Sequence, residues 1–165
     1  RDESTDGSVA GGKILQVVST EKLDPFTTTS NTPVDITGMS VSITPSSTSS
    51  KILVMASCGA VSNITGGQAT EIFLLRDSTN IHRSSNTSGN TRATTVRNGS
   101  ANYEVESMAF QHLDSPSTTS AVTYKLQIAT QDSGTACFNR RGDDTGGNSS
   151  FAKAAAEITV MEIGA

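Results

Sequence analysis

The chain has 165 residues, of which 34% are apolar and 4% aromatic, with no tryptophan and a formal net charge of −4. The only basic pair, Arg140-Arg141, is followed at once by Asp143 and Asp144, so the positive footprint that neutralises phosphates is missing and nucleic-acid binding is not expected. No apolar run approaches the roughly 20 residues of a membrane span, and no basic amphipathic helix suits a membrane surface.

Arg1 to Gly12, RDESTDGSVAGG, is polar, ends in glycine and has no periodicity, so residues 1–12 read as an arm or linker ahead of one domain at 13–165. Lys13 to Ser19 is the first expected strand, with an apolar run that suits burial on both faces. Asp24-Pro25 opens a turn, and Thr27 to Thr32 reads as an exposed linker or edge. Val34 to Thr44 alternates, with Met39, Val41 and Ile43 on one face and Ser40, Ser42 and Thr44 on the other, which is the period of a half-buried strand. Pro45 and a Ser/Thr run break the ladder. Lys51 to Val61 follows with apolar groups on both faces, as in a central strand.

Gly66-Gly67 marks a turn before Glu71 to Asp77, where Ile72 and Leu74 stand opposite Phe73 and Leu75. Asn80 to Arg83 reads as a short return strand. Ser84 to Asn102 is the longest polar segment, and a loop of that length in a compact domain is often functional. Strand patterning resumes over Tyr103 to Leu113. It is clear over Ala121 to Thr130, where Val122, Tyr124, Leu126 and Ile128 face in while Thr123, Lys125 and Gln127 face out. A short strand at Thr135 to Asn139 precedes a second polar loop, Arg141 to Ser150. Phe151 to Glu157 has local helix propensity but is too short to hold a helix alone, so strand or turn is expected. Ala155 to Ile163 closes the domain, with Ile158 and Val160 facing one way and Met161 and Ile163 the other. About eight or nine strands separated by turn signals predict an all-β fold, an antiparallel β-sandwich. The 47 Ser and Thr residues suit its solvent faces and turns. With so few apolar residues the core margin is thin, and oligomerisation is expected.

Several blocks carry a resemblance: GGKILQVVST, VDITGMSVSITPSSTSSKILV, FLLRDSTNI, FQHLDSPSTTSAVTYKLQI, FNRRGDD and EITVMEI. In order and spacing, from Gly12 onward, they resemble a domain of tailed-phage virion proteins, common in tail fibres and other structural proteins of phages that infect aquatic bacteria. The resemblance implies a jelly-roll-like sandwich of the trimeric kind found at fibre tips and on capsid surfaces. It implies a location on the virion surface, and a homotrimer and other virion proteins as partners. No catalytic residue and no cofactor come with it.

Residue by residue, the chemistry is sparse. Cys58 and Cys137 permit one disulfide, but two buried reduced thiols are expected. His82 and His112, even with Asp114, are too few for a metal site. Glu104 and Glu106 share a strand face at a spacing a glycosidase pair tolerates, yet aromatic platforms for sugar are scarce, and a solvated face is the better reading. Arg141-Gly142-Asp143 spells an adhesion tripeptide, and Asp143, Asp144 and Asn148 have oxygen ligands suited to calcium, but turn chemistry accounts for the segment. No nucleophile elbow or zinc-helix motif is present, and no enzyme activity is expected. The candidate surface-contact residues are therefore those of the two polar loops: Ser84, Asn86, Asn90, Arg92, Arg97 and Asn98 in the first, Arg141, Asp143, Asp144 and Asn148 in the second. A glycan- or receptor-binding module of a larger surface protein is the alternative function, and those loops are where it would make contact.

Overall fold

The computed structural model describes residues 12–84, 93–97, 104–144 and 153–164. Among these residues eleven strands form two antiparallel sheets that face each other across one core. In chain order they are β1 (Ile14–Lys22), β2 (Phe26–Thr28), β3 (Val34–Ile43), β4 (Lys51–Asn63), β5 (Ala69–Arg76) and β6 (Thr79–Asn80). Then come β7 (Thr94–Arg97), β8 (Glu106–Asp114), β9 (Val122–Thr130), β10 (Ala136–Phe138) and β11 (Ala156–Ile163).

The first sheet runs β1-β11-β4-β8, with β10 and then β2 continuing it beyond the start of β11. The second runs β3-β9-β5, with β6 and β7 sharing the far edge of β5. Without the three shortest strands, eight remain, and the chain passes between sheets at most connections. The two four-strand orders, β1-β11-β4-β8 and β3-β9-β5-β7, are those of a jelly roll. The sandwich and jelly-roll expectations hold, and β2 and β7, which lie where a linker and a loop were expected, account for the larger strand count.

Alternation explains how the core closes. Met39, Val41 and Ile43 of β3, Ile52, Val54 and Ala56 of β4, Tyr124, Leu126 and Ile128 of β9, and Ile158 and Val160 of β11 are all buried between the sheets. The bulge in β3 between Asp35 and Ser40 contains Gly38 at φ 86°, a backbone conformation that a residue with a Cβ rarely adopts.

Two expectations need correction. The polar segment from Ser84 to Asn102 is not one loop: Thr94–Arg97 pairs with Ala69–Ile72 as β7. Four residues with one apolar side chain give almost no periodicity, and the partner strand supplies the ladder. The first strand is not buried on both faces. Among the described residues β1 pairs only with β11, and Ile14 and Val17 are each 54% exposed.

Candidate interaction surface

The first polar segment leaves the second sheet in mid-strand. The Ile81 N–H donates to Leu74 O at 3.0 Å and the Ala93 N–H to Ile72 O at 2.9 Å, so both ends are fixed on β5. Ser84 is exposed near one root, and Arg97 closes β7 opposite Ala69. Asn86, Asn90, Arg92 and Asn98 lie outside the described residues, as does Asn148 of the second loop.

The second loop leaves β10 on the far side of β4 from β8. Arg141 and Asp143 close on each other, Nη2 to Oδ2 at 2.8 Å, and this pairing holds the Asp143 carboxyl below its ordinary range. Asp144 is buried, with Lys153 Nζ 3.7 Å from its carboxylate. The neighbouring Arg140 guanidinium donates to the carbonyls of Gly142 and Asp144. The tripeptide is thus a closed turn whose charged ends hold each other.

Folding joins two histidines that stand 30 residues apart. His82 Nδ1 lies 3.3 Å from His112 Nδ1, and the His82 ring stacks on Phe110 at 5.7 Å between centroids. Burial, with the neighbouring His112, lowers the His82 pKa. Cys58 belongs to the core cluster, whereas Cys137 lies between the core residues Ala136 and Phe138 and so faces the other side of the sheet. Both are free and buried, and burial raises the Cys58 thiol to about 12. Asn63, which opens the N-x-Thr sequence Asn63-Ile64-Thr65, is buried and donates to Thr130 Oγ1 at 2.9 Å.

The outer face of the first sheet carries the feature the sequence reading missed. Val17 pairs with Met161, Met161 with Leu53, and Leu53 with Leu113. Each alternates with an inward-facing neighbour, so all four stand in one row on the outside. Ile14, Leu15 and Met55 extend it, and exposures of 47% at Leu15 and 50% at Leu113 leave it open to water. The second sheet differs: its outward Phe73 and Leu75 form a small buried cluster with Ala129. Beside the apolar row the outer face sinks. Ser57 and Ala109 floor an open depression of about 480 Å³ bordered by Met55, Gln111, Glu157 and Thr159. It continues over Gly59, Ser107 and Ala155. Lys51 stands at the end of the face beyond the apolar row, and the directly paired Glu21 and Glu157 stand at the depression end. The available signal was the lack of polar alternation in Lys13 to Ser19 and Ile52 to Met55, which marks apolar groups on both faces without saying what covers the outer one.

No protein-family model matches the chain, and no curated protein matches it. Among solved structures it is similar to the VP2 subviral particle of infectious bursal disease virus, at 18% identity and a TM-score of 0.44 over 91% of this chain. It is likewise similar to the Gx strain of that virus, at 16% identity and a TM-score of 0.44 over 93% of this chain. The chain spans 37% and 41% of those two chains.

Proposed function

We propose that this chain is a non-enzymatic structural module of a virus-particle surface, of the tailed-phage tail-fibre or capsid-decoration class, that self-assembles as a homo-oligomer. The observation that carries this reading is a jelly roll with a complete core of its own whose first sheet still presents an apolar outer face. Monomeric soluble proteins rarely leave a contiguous apolar patch beyond a few hundred Å² in water, and such a patch marks an interaction site. The Ser- and Thr-rich connections and the resemblance of the sequence blocks to phage virion domains support the same reading. Assembly and contact are the whole mechanism, with no cofactor.

Host contact is a second role for the same module. It is favoured by the polar composition of the segment between Ile81 and Ala93, whose two ends are pinned to β5: binding residues are often carried by connections that a rigid scaffold positions. Immunogold labelling of purified phage particles with an antibody to this chain tests the main reading. Regular labelling of fibre or capsid is expected. Particles that carry none of the chain, by labelling and by mass spectrometry, would overturn it.

A further inference from the structure

We infer that the outer face of the first sheet seats a second copy of this chain, reversed along the strand direction, about a two-fold axis that crosses the strands at Met55. The inference deepens the reading above, resting on its claim of self-assembly, and adds the surface and the symmetry.

Shape is the first argument. On one face of a strand, successive side chains lie about 6.8 Å apart. The row of Leu53 and Leu113 lies one step to one side of Met55, and the row of Ser57 and Ala109 lies one step to the other. A two-fold rotation at Met55 lays Leu53 of one copy over Ser57 of the other, and Leu113 over Ala109. The ridge of each copy enters the depression of its mate, which is the interdigitation that face-to-face sheets require. An isologous contact needs a surface that is complementary to itself, and the β4–β8 half of this face is, while the same rotation lays Met161 over Glu157 and Val17 over Glu21 on the β11–β1 half.

Charge is the second. Glu21 and Glu157 are directly paired like charges on the outside of adjacent strands, which disfavours the isolated face. Reversal brings Lys51 of the partner copy over Gly59 at this acidic end, one strand and one two-residue step from Glu157, about 8 Å in the plane of the face and within reach of a lysine side chain. An arrangement with parallel strands, such as three copies around an axis along the strands, would instead place acid beside acid. The charge layout therefore favours two-fold pairing over the homotrimer implied by the resemblance.

Area is the third. Four strands about 4.8 Å apart and about eight residues long span a face of roughly 19 by 27 Å. Clothed in side chains, it is of the order of the ~800 Å² per partner that a stable interface buries.

The test is the solution mass of the full chain by light scattering at micromolar concentration, with circular dichroism melts to confirm that each variant is folded. The wild type is expected at twice the chain mass. Leu113→Lys is expected to give a folded monomer. Lys51→Glu and Glu157→Lys are each expected to weaken association about tenfold or more, and the double variant to recover it. Met55→Cys is expected to give a covalent dimer with a thiol-specific bifunctional crosslinker of about 8–10 Å span, because the two substituted residues face each other across the axis at the roughly 10 Å separation of packed sheets, too far for a direct disulfide. A wild-type monomer, a mass unchanged by Leu113→Lys, or a trimer without the Met55→Cys crosslink would each overturn the inference. The particle labelling above does not depend on solution mass, so the two can fail separately.

Discussion

Glu162 stands inside the core side of β11 and is fully buried, yet it keeps its charge. The backbone N–H and hydroxyl of Ser46 donate to Oε1 at 2.7 and 2.6 Å, and Gln16 Nε2 donates to Oε2 at 2.5 Å. Burial pushes the carboxyl up, but these hydrogen bonds outweigh it and hold the pKa at about 2, against an ordinary 4.5. The Ser/Thr run after Pro45 thus does more than break a ladder, because its first serine anchors the β3–β4 turn to the last strand. A carboxyl with a depressed folded pKa stabilises the fold fully above its unfolded value, and that contribution is lost as pH falls through the folded value. Between about pH 4.5 and 2 the wild type is expected to lose this part of its stability. Glu162→Gln is expected to be less stable at neutral pH by about 2 kcal/mol, as for other hydrogen bonds to a charged group. Its stability should also fall less steeply with acid over the same window. Urea unfolding at a series of pH values reads both effects, and parallel pH profiles for the two proteins would refute the assignment.

At the scale of elements, β4 is the strand on which the first sheet is built. β8 runs along one edge, while β11 and then β10 share the other. The handover between β11 and β10 is tight: the Gly59 N–H donates to Ala155 O at 3.2 Å, and a Cβ at Gly59 would lie 2.4 Å from that same oxygen. Only glycine lets the backbones approach this closely. Because the obstacle is backbone rather than a flexible side-chain end, Gly59→Ala is expected to cost about 1–3 kcal/mol, the usual range for forcing extra volume into a packed site. A melting temperature within a degree of the wild type would show that the handover yields easily. Between sheets, Arg76 of β5 and Tyr124 of β9 both hold Asp114 of β8, with the tyrosine hydroxyl donating at 2.7 Å. Burial first, and then this bond, raises the Tyr124 pKa.

At the scale of the whole molecule, the strand pairs are remote in sequence. Val17 pairs with Met161, and Val34 with Ile128. Such a chain must close large loops before any native pair forms, so folding is expected on the millisecond-to-second scale or slower. Stopped-flow refolding measures this, and a microsecond phase carrying the full amplitude would contradict it. The same topology sorts the apolar side chains by role. Those between the sheets stabilise the single chain, and the row from Val17 to Leu113 is left facing outward.

Read along the chain, alternation alone determined the longer strands, the inward residues of β3 and β9, and the two facings of β11. These depend on local sterics and a two-residue period, which are properties of neighbouring residues. Tertiary structure decided the rest, because the deciding partners lie far away in sequence. Thr94–Arg97 becomes a strand because β5 offers an edge. His82 meets His112 because the excursion from β5 passes β8. Most of all, an apolar residue reads the same whether its second face is covered or bare. Only the strand order, with β1 at an edge and nothing laid over the outside of β11, β4 and β8 among the described residues, turns the apolar runs at Lys13 to Ser19 and Ile52 to Met55 into an open surface.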